Sequence, residues 1–405
     1  MIKLGIFGAY RGSDFVKIAK DVGCKVTAVC DRDKKRVDDM VRPVLGDDCV
    51  YYSDFDEFIK ADFDACILCN YFSEHAPFAV RAMLAGKHVL SETMSNVTMA
   101  QGVELYRTQK ETGKIYMLAE NYPFMRGCMR MKREYETGRF GRVLYADGEY
   151  VHPMNEEEYN LLSPGKYHWR SWLPSTYYLT HSLAPLMFMT GTMPKTVNAL
   201  SVFAPEQNER KLRYAADATA AMLCGMDNGS VFRITGWATF GGGGDWYRLG
   251  CSSGSLETVR GEMNDVRIVE DNGEVNVFTT EWEKFGDLAA KTGHGGGDFW
   301  ALYEFAQSIE NNTEPYFNIE KALAMASVGL LGWRSCLEKG RQYDIPDFSR
   351  EEDCKLYEND NLSPFPDKNG KTTLPCCIKT DYTPSEEAQR VAREYWAKQG
   401  YLYQE

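Results

Sequence analysis

The chain has 405 residues, of which 44% are hydrophobic and 26% are charged. These proportions are those of a globular protein, and the length exceeds what one hydrophobic core usually supports, so two domains are expected. The net charge of −12 argues against nucleic acid or an anionic membrane as a partner, because both need a basic surface. No apolar run approaches the length of a membrane span.

The chain enters a predicted strand at once, which leaves no room for a signal peptide, so a cytoplasmic protein is expected. The 12 cysteines are scattered, many in apolar segments, and are expected to be free thiols. Cys66 and Cys69 form a C-x-x-C, but they lie inside a predicted strand and no second ligand pair follows. The spacing of Glu149, His152 and His181 also gives no support for a metal site.

Short apolar runs alternate with helical stretches over residues 1–122. Strands are predicted at Lys3–Phe7, Lys25–Cys30, Ala65–Cys69, His88–Ser91 and Ile115–Leu118. Helices are predicted at Ser13–Val22, Lys34–Val41, Ala76–Ala85 and Met99–Thr112. This alternation predicts βαβ units and a parallel sheet, and therefore an N-terminal Rossmann domain.

The pattern changes over residues 123–350, where a helix at Gly127–Thr137 precedes a series of strands. The strands are predicted at Val143–Val151, Thr196–Phe203, Thr219–Gly225, Ser230–Trp237, Arg248–Ser252, Val266–Glu270 and Val275–Thr280. Asn-Gly pairs at 228–229 and 272–273 predict hairpin turns of the primed type. With helices at Asp298–Glu310 and Ile319–Glu338, this region predicts an α/β domain on an open, mainly antiparallel sheet.

The tail, residues 351–405, is predicted to be an irregular extension that closes with a helix. Thr383 is the expected N-cap, Pro384 the first helical residue, and Gly400 the residue past the end.

The turn after the first strand is a candidate dinucleotide site made of Gly8, Tyr10, Arg11 and Gly12. The usual pattern is G-x-G-x-x-G, but Tyr10 occupies the second glycine position, and with Gly12 as the third glycine the loop is one residue short. A plain strand-to-helix turn is the alternative. Asp31 ends the second strand, where an acid hydrogen-bonds the adenosine ribose. Its carboxylate would repel a 2′-phosphate, so NAD is favoured, although the neighbouring arginine keeps NADP possible.

Residues 65–92 resemble the Gfo/Idh/MocA oxidoreductase family, through the run ACILCN, then His75-Ala-Pro, then GKHV and Glu92. The resemblance covers about residues 1–350 and implies a Rossmann domain followed by an open antiparallel sheet. It places Asn70, His75 and Glu92 at the cofactor. The family usually has Glu-Lys-Pro where this chain has Thr93 after the glutamate, and an aspartate where it has Tyr177, four residues before the retained histidine.

These departures resemble the glycoside hydrolase family 109 branch of the same superfamily. The residues that carry this likeness are Tyr178-Leu-Thr-His181 with Leu-x-Pro after it, Gly293 to Asp298 (GHGGGD), and the Ile345–Phe348 run. Members of that branch hydrolyse glycosides with tightly held NAD⁺. The likeness implies that Tyr178 and His181 are catalytic.

The remaining candidates come from the same reading. Asn121, Trp169 and Arg170 resemble family elements at the cofactor. Tyr122, Glu149 and His294 are expected at the substrate, with Glu149 and Val151 on one strand face and His152 on the other. Asp298 is expected to cap its helix. Histidine suits proton transfer near neutrality, and a tyrosine of lowered pKa suits a sugar hydroxyl.

The sequence therefore predicts an NAD-dependent enzyme that transfers a hydride at C3 of a sugar or glycoside, with possible glycosidic cleavage by oxidation, elimination, hydration and reduction. One alternative is a dehydrogenase that releases NADH and a keto sugar. The other, from a different class, is a sugar- or NAD-sensing regulator without turnover. A homo-oligomer through the C-terminal sheet is expected, because few helices are available to cover both of its faces.

Overall fold

The computed structural model describes residues 1–242 and 244–401. Its first sheet has six parallel strands in the order β3-β2-β1-β4-β5-β6. The strands are β1 (Ile2–Phe7), β2 (Cys24–Cys30), β3 (Val50–Tyr52), β4 (Ala65–Leu68), β5 (His88–Ser91) and β6 (Tyr116–Leu118). Every residue of β4 is buried, as expected for a parallel strand covered on both faces.

The helices of this part connect successive strands. They are α1 (Ala9–Ile18), α2 (Lys34–Arg36), α3 (Arg42–Leu45), α4 (Phe55–Phe58), α5 (His75–Leu84) and α6 (Met99–Thr112). Helix α6 shows why such boundaries are readable from sequence. Thr98 accepts a hydrogen bond from the Gln101 amide at its start, and Gly113 adopts a left-handed conformation at its end.

The second sheet has nine strands in the order β14-β13-β12-β11-β7-β10-β9-β8-β15. Strands β7 and β10 run parallel, and the other neighbouring pairs with a described register are antiparallel. The strands are β7 (Val143–Glu149), β8 (Pro194–Phe203), β9 (Asp217–Met226), β10 (Val231–Thr235), β11 (Trp246–Cys251), β12 (Gly254–Val259), β13 (Glu262–Glu270), β14 (Val275–Thr279) and β15 (Tyr343–Asp344).

Helices cover one face of this sheet, which we call the inner face. The helices of this part are α7 (Arg126–Glu136), α8 (Glu156–Leu162), α9 (Trp169–Trp172), α10 (Thr180–Thr190), α11 (Gly286–Ala289), α12 (Gly297–Asn311), α13 (Ile319–Leu337), α14 (Glu351–Tyr357) and α15 (Glu386–Lys398). Two of the glycines that let helices pack closely on the sheet are Gly148 and Gly332. A Cβ on Gly148 of β7 would lie 2.1 Å from the Ser182 oxygen of α10, and one on Gly332 of α13 would lie 3.2 Å from the Met222 sulfur of β9.

The predicted fold class is confirmed, and the differences are local. Helix α1 begins at Ala9 rather than Ser13, so Tyr10, Arg11 and Gly12 are helical. In the Asn-Gly turns only Gly229 and Gly273 have positive φ, so the turns are not of the primed type, which needs two such residues.

The C-terminal helix and several short elements also differ from expectation. The N-cap of α15 is Ser385, which accepts a hydrogen bond from the Ala388 amide, rather than Thr383. Strands β3, β12 and β15 and helix α14 lie in segments where no element was predicted. The domain limits at 122 and 350 stay a prediction.

None of the described helices is both long and apolar enough to pass through a bilayer. In the same part of the chain, no group of three or more histidine, cysteine or acidic side chains is arranged to hold a metal ion.

The other face of the second sheet, the outer face, carries exposed apolar side chains. Leu200 and Val202 of β8 are 61% and 52% exposed, and Leu223 of β9 is 48% exposed. The strand register places Leu200 opposite Ala221 and Leu223 opposite Asn198, so these residues share one face. Adjacent apolar side chains at this exposure are typical of a protein–protein interface.

We predict that the outer face joins two copies of the chain. Leu200→Lys together with Leu223→Lys places two like charges on a self-complementary surface and should shift the protein toward the monomer. Sedimentation velocity at micromolar concentration measures this shift. The matched double variant Leu84→Lys with Val44→Lys changes exposed apolar residues outside the second sheet and should leave the assembly unchanged. A monomeric unaltered protein would contradict the prediction.

Candidate active site

The candidate site lies at the carboxyl end of the parallel sheet, where open α/β sheets bind their ligands. The segments that follow β1, β2, β4, β5 and β6 carry most of the predicted cofactor residues. Residues from α9, α10 and the start of α12 join them from the second part of the chain.

The turn after β1 is shaped for close backbone approach. Gly8 has φ 103°, and a Cβ there would lie 2.3 Å from the Cys69 carbonyl oxygen. A Cβ on Gly12 would lie 2.5 Å from the Ile6 side chain, so this glycine lets α1 pack on β1. The side chain of Tyr10 is 50% exposed and points away from this packing. The first and third glycine roles of a dinucleotide turn are therefore present, while α1 starts directly after Gly8.

Asp31 lies beside the amino end of α1. Its two carboxylate oxygens accept hydrogen bonds from the backbone amides of Ala9 and Asp33, at 2.7 and 2.8 Å. Each oxygen keeps a second lone pair, so the carboxylate is held in place and can still accept from ribose hydroxyls. The amino end of α1 next to it is suited to a phosphate.

Several buried polar atoms in this region have no hydrogen-bond partner in the structure. They are Asn70 Oδ1 and Nδ2, Glu120 Oε2, Asn121 Oδ1 and Arg170 Nε. Buried polar groups are normally paired, so a cluster without partners indicates a place where a polar ligand binds. These atoms, with the Gly8 turn and Asp31, fit a nicotinamide dinucleotide and a hydroxylated substrate.

The His75 ring contacts backbone carbonyl groups in the segments that follow β4 and β5. Its Nδ1 lies 3.0 Å from the Met94 carbonyl oxygen and its Nε2 lies 3.3 Å from that of Asn70. Burial lowers the pKa of His75, so the neutral ring donates to one of these carbonyls. Both ring nitrogens face the backbone, and His75 therefore positions Asn70 rather than presenting a group to a ligand.

Arg11 connects the cofactor turn to the second part of the chain. Its Nε donates to Glu92 at 2.6 Å, and its Nη1 and Nη2 donate to the two oxygens of Asp298 at 2.8 and 2.6 Å. Burial alone would lower the pKa of Arg11, but Glu92 and Asp298 raise it well above its ordinary value. The Arg11 guanidinium therefore pairs with both Glu92 and Asp298, and the carboxylate of Glu92 is paired with Arg11.

Asp298 is the centre of this cluster and is not the helix cap that was expected. The N-cap of α12 is Gly296, and Asp298 lies within the helix. Its carboxylate also accepts from Asn121 Nδ2 at 2.8 Å and from His294 Nδ1 at 3.0 Å. Burial would raise the pKa of Asp298, but hydrogen bonds from Arg11 and His294 outweigh it and hold the pKa well below the usual range.

His294 lies at the edge of the site, with 41% of its side chain exposed. Its ring centroid is 6.3 Å from that of Tyr122. Burial lowers the pKa of His294, but the hydrogen bond to Asp298 and the charge of that carboxylate outweigh burial, so the pKa is raised. The Nε2 atom has no described protein partner.

A second histidine–carboxylate pair lies deeper. His181 Nδ1 is 2.6 Å from Glu120 Oε1, and the two residues are only 5% and 0% exposed. A carboxylate at Nδ1 fixes the ring orientation and leaves Nε2 to accept a proton. Glu120 was not among the predicted site residues, although it lies two residues past the end of β6, which is the signal that identifies it.

Aromatic rings surround His181. Tyr122 stacks on it at 4.2 Å between centroids, Tyr150 contacts it edge-on at 4.7 Å, and Tyr178 at 5.2 Å. The predicted pair of Tyr178 and His181 is therefore brought together. The expected lowering of a tyrosine pKa is not seen, because burial raises the pKa of Tyr178. Tyr150 was not predicted, and its contacts put it on the same side as Gly148.

Glu149 is not brought to this cluster. It accepts from Arg233 at 3.1 Å and from Arg260 at 2.7 Å. Its neighbour Gly148 faces α10, and side chains alternate along a strand, so Glu149 lies on the outer face. His152, two residues after Tyr150, has its ring 5.7 Å from the Tyr150 ring.

Helix α9 reaches across to the β4 loop. Trp169 stacks on Phe72 with ring centroids 4.9 Å apart. The guanidinium of Arg170 lies 4.4 Å from the Trp169 ring, and its Nε is one of the atoms without a partner. The two predicted residues Trp169 and Arg170 therefore lie next to Asn70, at the same edge of the sheet.

The comparisons with known proteins agree with this geometry. Residues 2–120 match a family model described as "Oxidoreductase family, NAD-binding Rossmann fold". Residues 279–354 match the C-terminal domain model of glycosyl hydrolase 109. A glycosyl hydrolase family 109 protein of Saccharopolyspora erythraea is 25% identical over 399 residues, covering 86% of this chain and 83% of the relative. One of Shewanella amazonensis is 22% identical, covering 86% of each.

Solved structures share the fold. A levoglucosan dehydrogenase in complex with NADH and L-sorbose has a TM-score of 0.75 and 17% identity, covering 86% of this chain and 100% of that one. An Agrobacterium radiobacter oxidoreductase in complex with NAD⁺, L-tartaric acid and magnesium has a TM-score of 0.70 and 15% identity, covering 85% and 98%.

The chain is therefore an enzyme with an NAD-binding Rossmann domain and a second, mainly antiparallel domain. Residues 2–120 are of the Gfo/Idh/MocA oxidoreductase type, and the chain is similar over most of its length to glycosyl hydrolase family 109 proteins. The resemblance to this oxidoreductase family and to its glycoside hydrolase 109 branch is confirmed, as is NAD as the cofactor.

We predict that Asp31 contributes to NAD affinity and to discrimination against NADP. Asp31→Ala removes the ribose acceptor and the charge that repels a 2′-phosphate, so NAD should bind more weakly and NADP relatively better. Isothermal titration with both cofactors measures the change. Asp21→Ala, at an exposed acid outside the site, is the control. Unchanged affinity for both cofactors would remove Asp31 from the site.

The Asp298 cluster also predicts a stability difference. Asp298→Asn removes the charge of the buried, bidentate partner of Arg11 while Glu92 still pairs with the guanidinium, and it should lower the free energy of unfolding by roughly 2 kcal/mol. Asp14 pairs with the same guanidinium at 3.1 Å but is 41% exposed, so Asp14→Asn should cost less than about 1 kcal/mol. Urea unfolding followed by fluorescence compares the two. Equal losses would contradict the special position of Asp298.

Proposed function

We propose that this enzyme cleaves glycosides, using hydride transfer at C3 of the sugar and returning NAD to its starting state. The observation that carries the proposal is the buried His181–Glu120 pair among three tyrosine rings, at the sheet edge of an NAD-binding domain. Support also comes from the match of residues 279–354 to the glycosyl hydrolase 109 model.

The cofactor is assigned to residues that fit it. The Gly8 turn and Asp31 are placed for the pyrophosphate and adenosine ribose, and Asn70 and Asn121 each keep unpartnered amide atoms nearby. When bound, NAD⁺ supplies the hydride acceptor that converts the C3 hydroxyl to a ketone, and its reduced form supplies the hydride that reverses this.

The protein groups handle the protons. A ketone at C3 makes the C2 proton acidic, and its removal expels the C1 substituent. His181 Nε2 first accepts the C3 hydroxyl proton as the hydride leaves and passes it to solvent, and it then accepts the C2 proton; each time the charge that develops on the imidazole is stabilised by Glu120 at 2.6 Å. In the hydration stage the same nitrogen, after exchanging its proton with solvent, returns a proton to C2 as water adds at C1 and gives its own proton to Tyr178. Reduction at C3 then takes a solvent proton back onto the oxygen through His181, so the sugar is restored with a hydroxyl in place of the aglycone.

Tyr178 is proposed as a hydrogen-bond donor and acid rather than a base. Because burial raises its pKa, the phenol stays protonated near neutrality. A protonated phenol 5.2 Å from the His181 ring, between centroids, suits protonation of the departing glycosidic oxygen. Thr93 occupies the position of the usual lysine, is 6% exposed and offers no charge, so the acid and base work falls to the histidine and tyrosine.

A simple sugar dehydrogenase is the second candidate. The observation that favours it is the likeness in fold to levoglucosan dehydrogenase, with a TM-score of 0.75. The two candidates differ in the fate of the hydride and in the glycosidic bond.

Two measurements on the NAD-loaded protein separate them, using nitrophenyl glycosides of common hexoses and N-acetylhexosamines and the free sugars. The proposal predicts nitrophenol release without accumulation of reduced nicotinamide absorbance. It also predicts one deuterium at C2 of the released sugar in D₂O. NADH formation stoichiometric with sugar consumption, without aglycone release, would establish the dehydrogenase instead.

We predict that His181→Ala lowers turnover of an accepted substrate by about a hundredfold to ten-thousandfold, the usual loss when a positioned base is removed. Glu120→Gln should also lower turnover, because the ring loses its orienting charge. Thr93→Ala should have little effect and is the control. NAD binding and circular dichroism establish that each variant is folded. Near-native turnover of His181→Ala would refute the assigned role.

A further inference from the structure

The C-terminal helix α15 is anchored on α8, far along the chain from the cofactor turn. Trp396 is 2% exposed and its Nε1 donates to the Asn160 carbonyl oxygen at 2.9 Å. Tyr395 donates to Glu156 at 3.1 Å, and Glu387 accepts from Arg210 at 2.8 Å. The helix is therefore held by both buried and charged contacts.

Tyr401, just past the end of α15, contacts the Rossmann domain. Gly400 has φ 79°, which turns the chain, and the Tyr401 hydroxyl accepts a hydrogen bond from Arg36 Nη2 at 2.9 Å. Burial raises the pKa of Tyr71, and the nearby Tyr401 phenol adds to this effect. Tyr401 thus lies between α2, which follows β2, and the loop that follows β4.

These two segments flank the position of the adenosine ribose. Arg36 lies five residues after Asp31, pairs with Asp33 at 3.3 Å, and places its guanidinium 5.3 Å from the Tyr10 ring. The guanidinium of Arg32 lies 5.7 Å from the Tyr71 ring. This contact joins the segments that follow β2 and β4. In a Rossmann domain the adenosine half of the dinucleotide lies between these strand ends.

Helix α15 is also connected to the loop that follows β4, through helix α8. Helix α8 leads into residues 163–169, where His168 contacts the Tyr71 ring at 5.0 Å and Trp169 stacks on Phe72. The C-terminal segment therefore reaches this edge of the sheet twice, through Tyr401 at Arg36 of α2 and through α8 at the β4 loop.

We propose that residues 386–401 form a clasp over the adenosine half of the bound dinucleotide, with the Arg36–Tyr401 contact as its closing bond. This rests on the proposed function, since a cycle that regenerates its own cofactor has no need to exchange it. The clasp makes cofactor release slow, because the Arg36–Tyr401 bond must open before the adenosine leaves.

The test measures NAD dissociation from the full-length protein without substrate. Tyr401→Ala and Arg36→Gln each remove the closing bond from opposite sides, and each should raise the dissociation rate about tenfold, as expected for a lost hydrogen bond to a charged group. The double variant should be no faster than either single variant, because all three lose the same contact. Glu394→Gln, which changes an exposed α15 residue that pairs with Arg390 of the same helix, should dissociate at the native rate.

Rates of both Tyr401→Ala and Arg36→Gln within twofold of the native rate would overturn the clasp, as would an equal increase in Glu394→Gln. Because the two variants lie on separate elements, misfolding of one leaves the other as the test. Slow NAD release from a protein that cleaves no glycoside would refute the proposed function while leaving the clasp intact. Glycoside cleavage with unaltered release rates in both variants would do the reverse.

Discussion

The arrangement of the site depends on one ion pair, between Arg11 at the start of α1 and Asp298 near the start of α12. The two residues are 287 positions apart, and the pair is bidentate, with the carboxylate fully buried. A charge that is removed from water needs a partner with good geometry, so the pair fixes the second part of the chain against the cofactor turn. Asn121 and His294 donate to the same carboxylate, and both therefore take their positions from it.

The His181–Glu120 pair forms a second connection of the same kind, from α10 to the end of β6. The two carboxylates have different consequences. Asp298 is saturated by an arginine, an amide and a histidine, so it holds structure. Glu120 contacts a single histidine and keeps one oxygen without a partner, which leaves charge available next to a ring that accepts protons. This difference in hydrogen-bond satisfaction distinguishes Asp298, which holds structure, from Glu120, which we propose assists His181.

The sequence predicted what lies close together along the chain. The Gly8 turn, Asp31 and the Tyr178–His181 segment were identified because their motifs are local. Tyr150 was not, since its importance depends on a contact with α10 that no spacing reveals. Glu120 lies at the sheet edge that the sequence marks as a ligand site, but its pairing with His181 of α10 could not be read from the sequence.

Three residues make contacts other than those predicted from the sequence, and each difference has a physical reason. Glu149 was assigned to the substrate because strand alternation alone does not say which face meets α10. Gly148, whose missing side chain admits that helix, decides it. Asp298 follows a glycine run and resembles a cap, but its carboxylate accepts from Arg11 and Asn121 of distant segments and from the nearby His294 instead of from the helix start. His75, read as a cofactor residue, has both ring nitrogens directed at backbone carbonyls.

The loss of the family lysine is consistent with these arrangements. A lysine at position 93 would add a positive charge next to Glu92, which Arg11 already neutralises at 2.6 Å, and competition for that carboxylate would weaken the Arg11 network. Thr93 is small and neutral and leaves the network intact. A reaction that needs only one proton accepted at a time is then assigned to His181, whose developing charge has its own carboxylate. The neutral Thr93 therefore leaves Glu92 paired with Arg11, and the proposed proton transfer relies on His181 and its own partner Glu120.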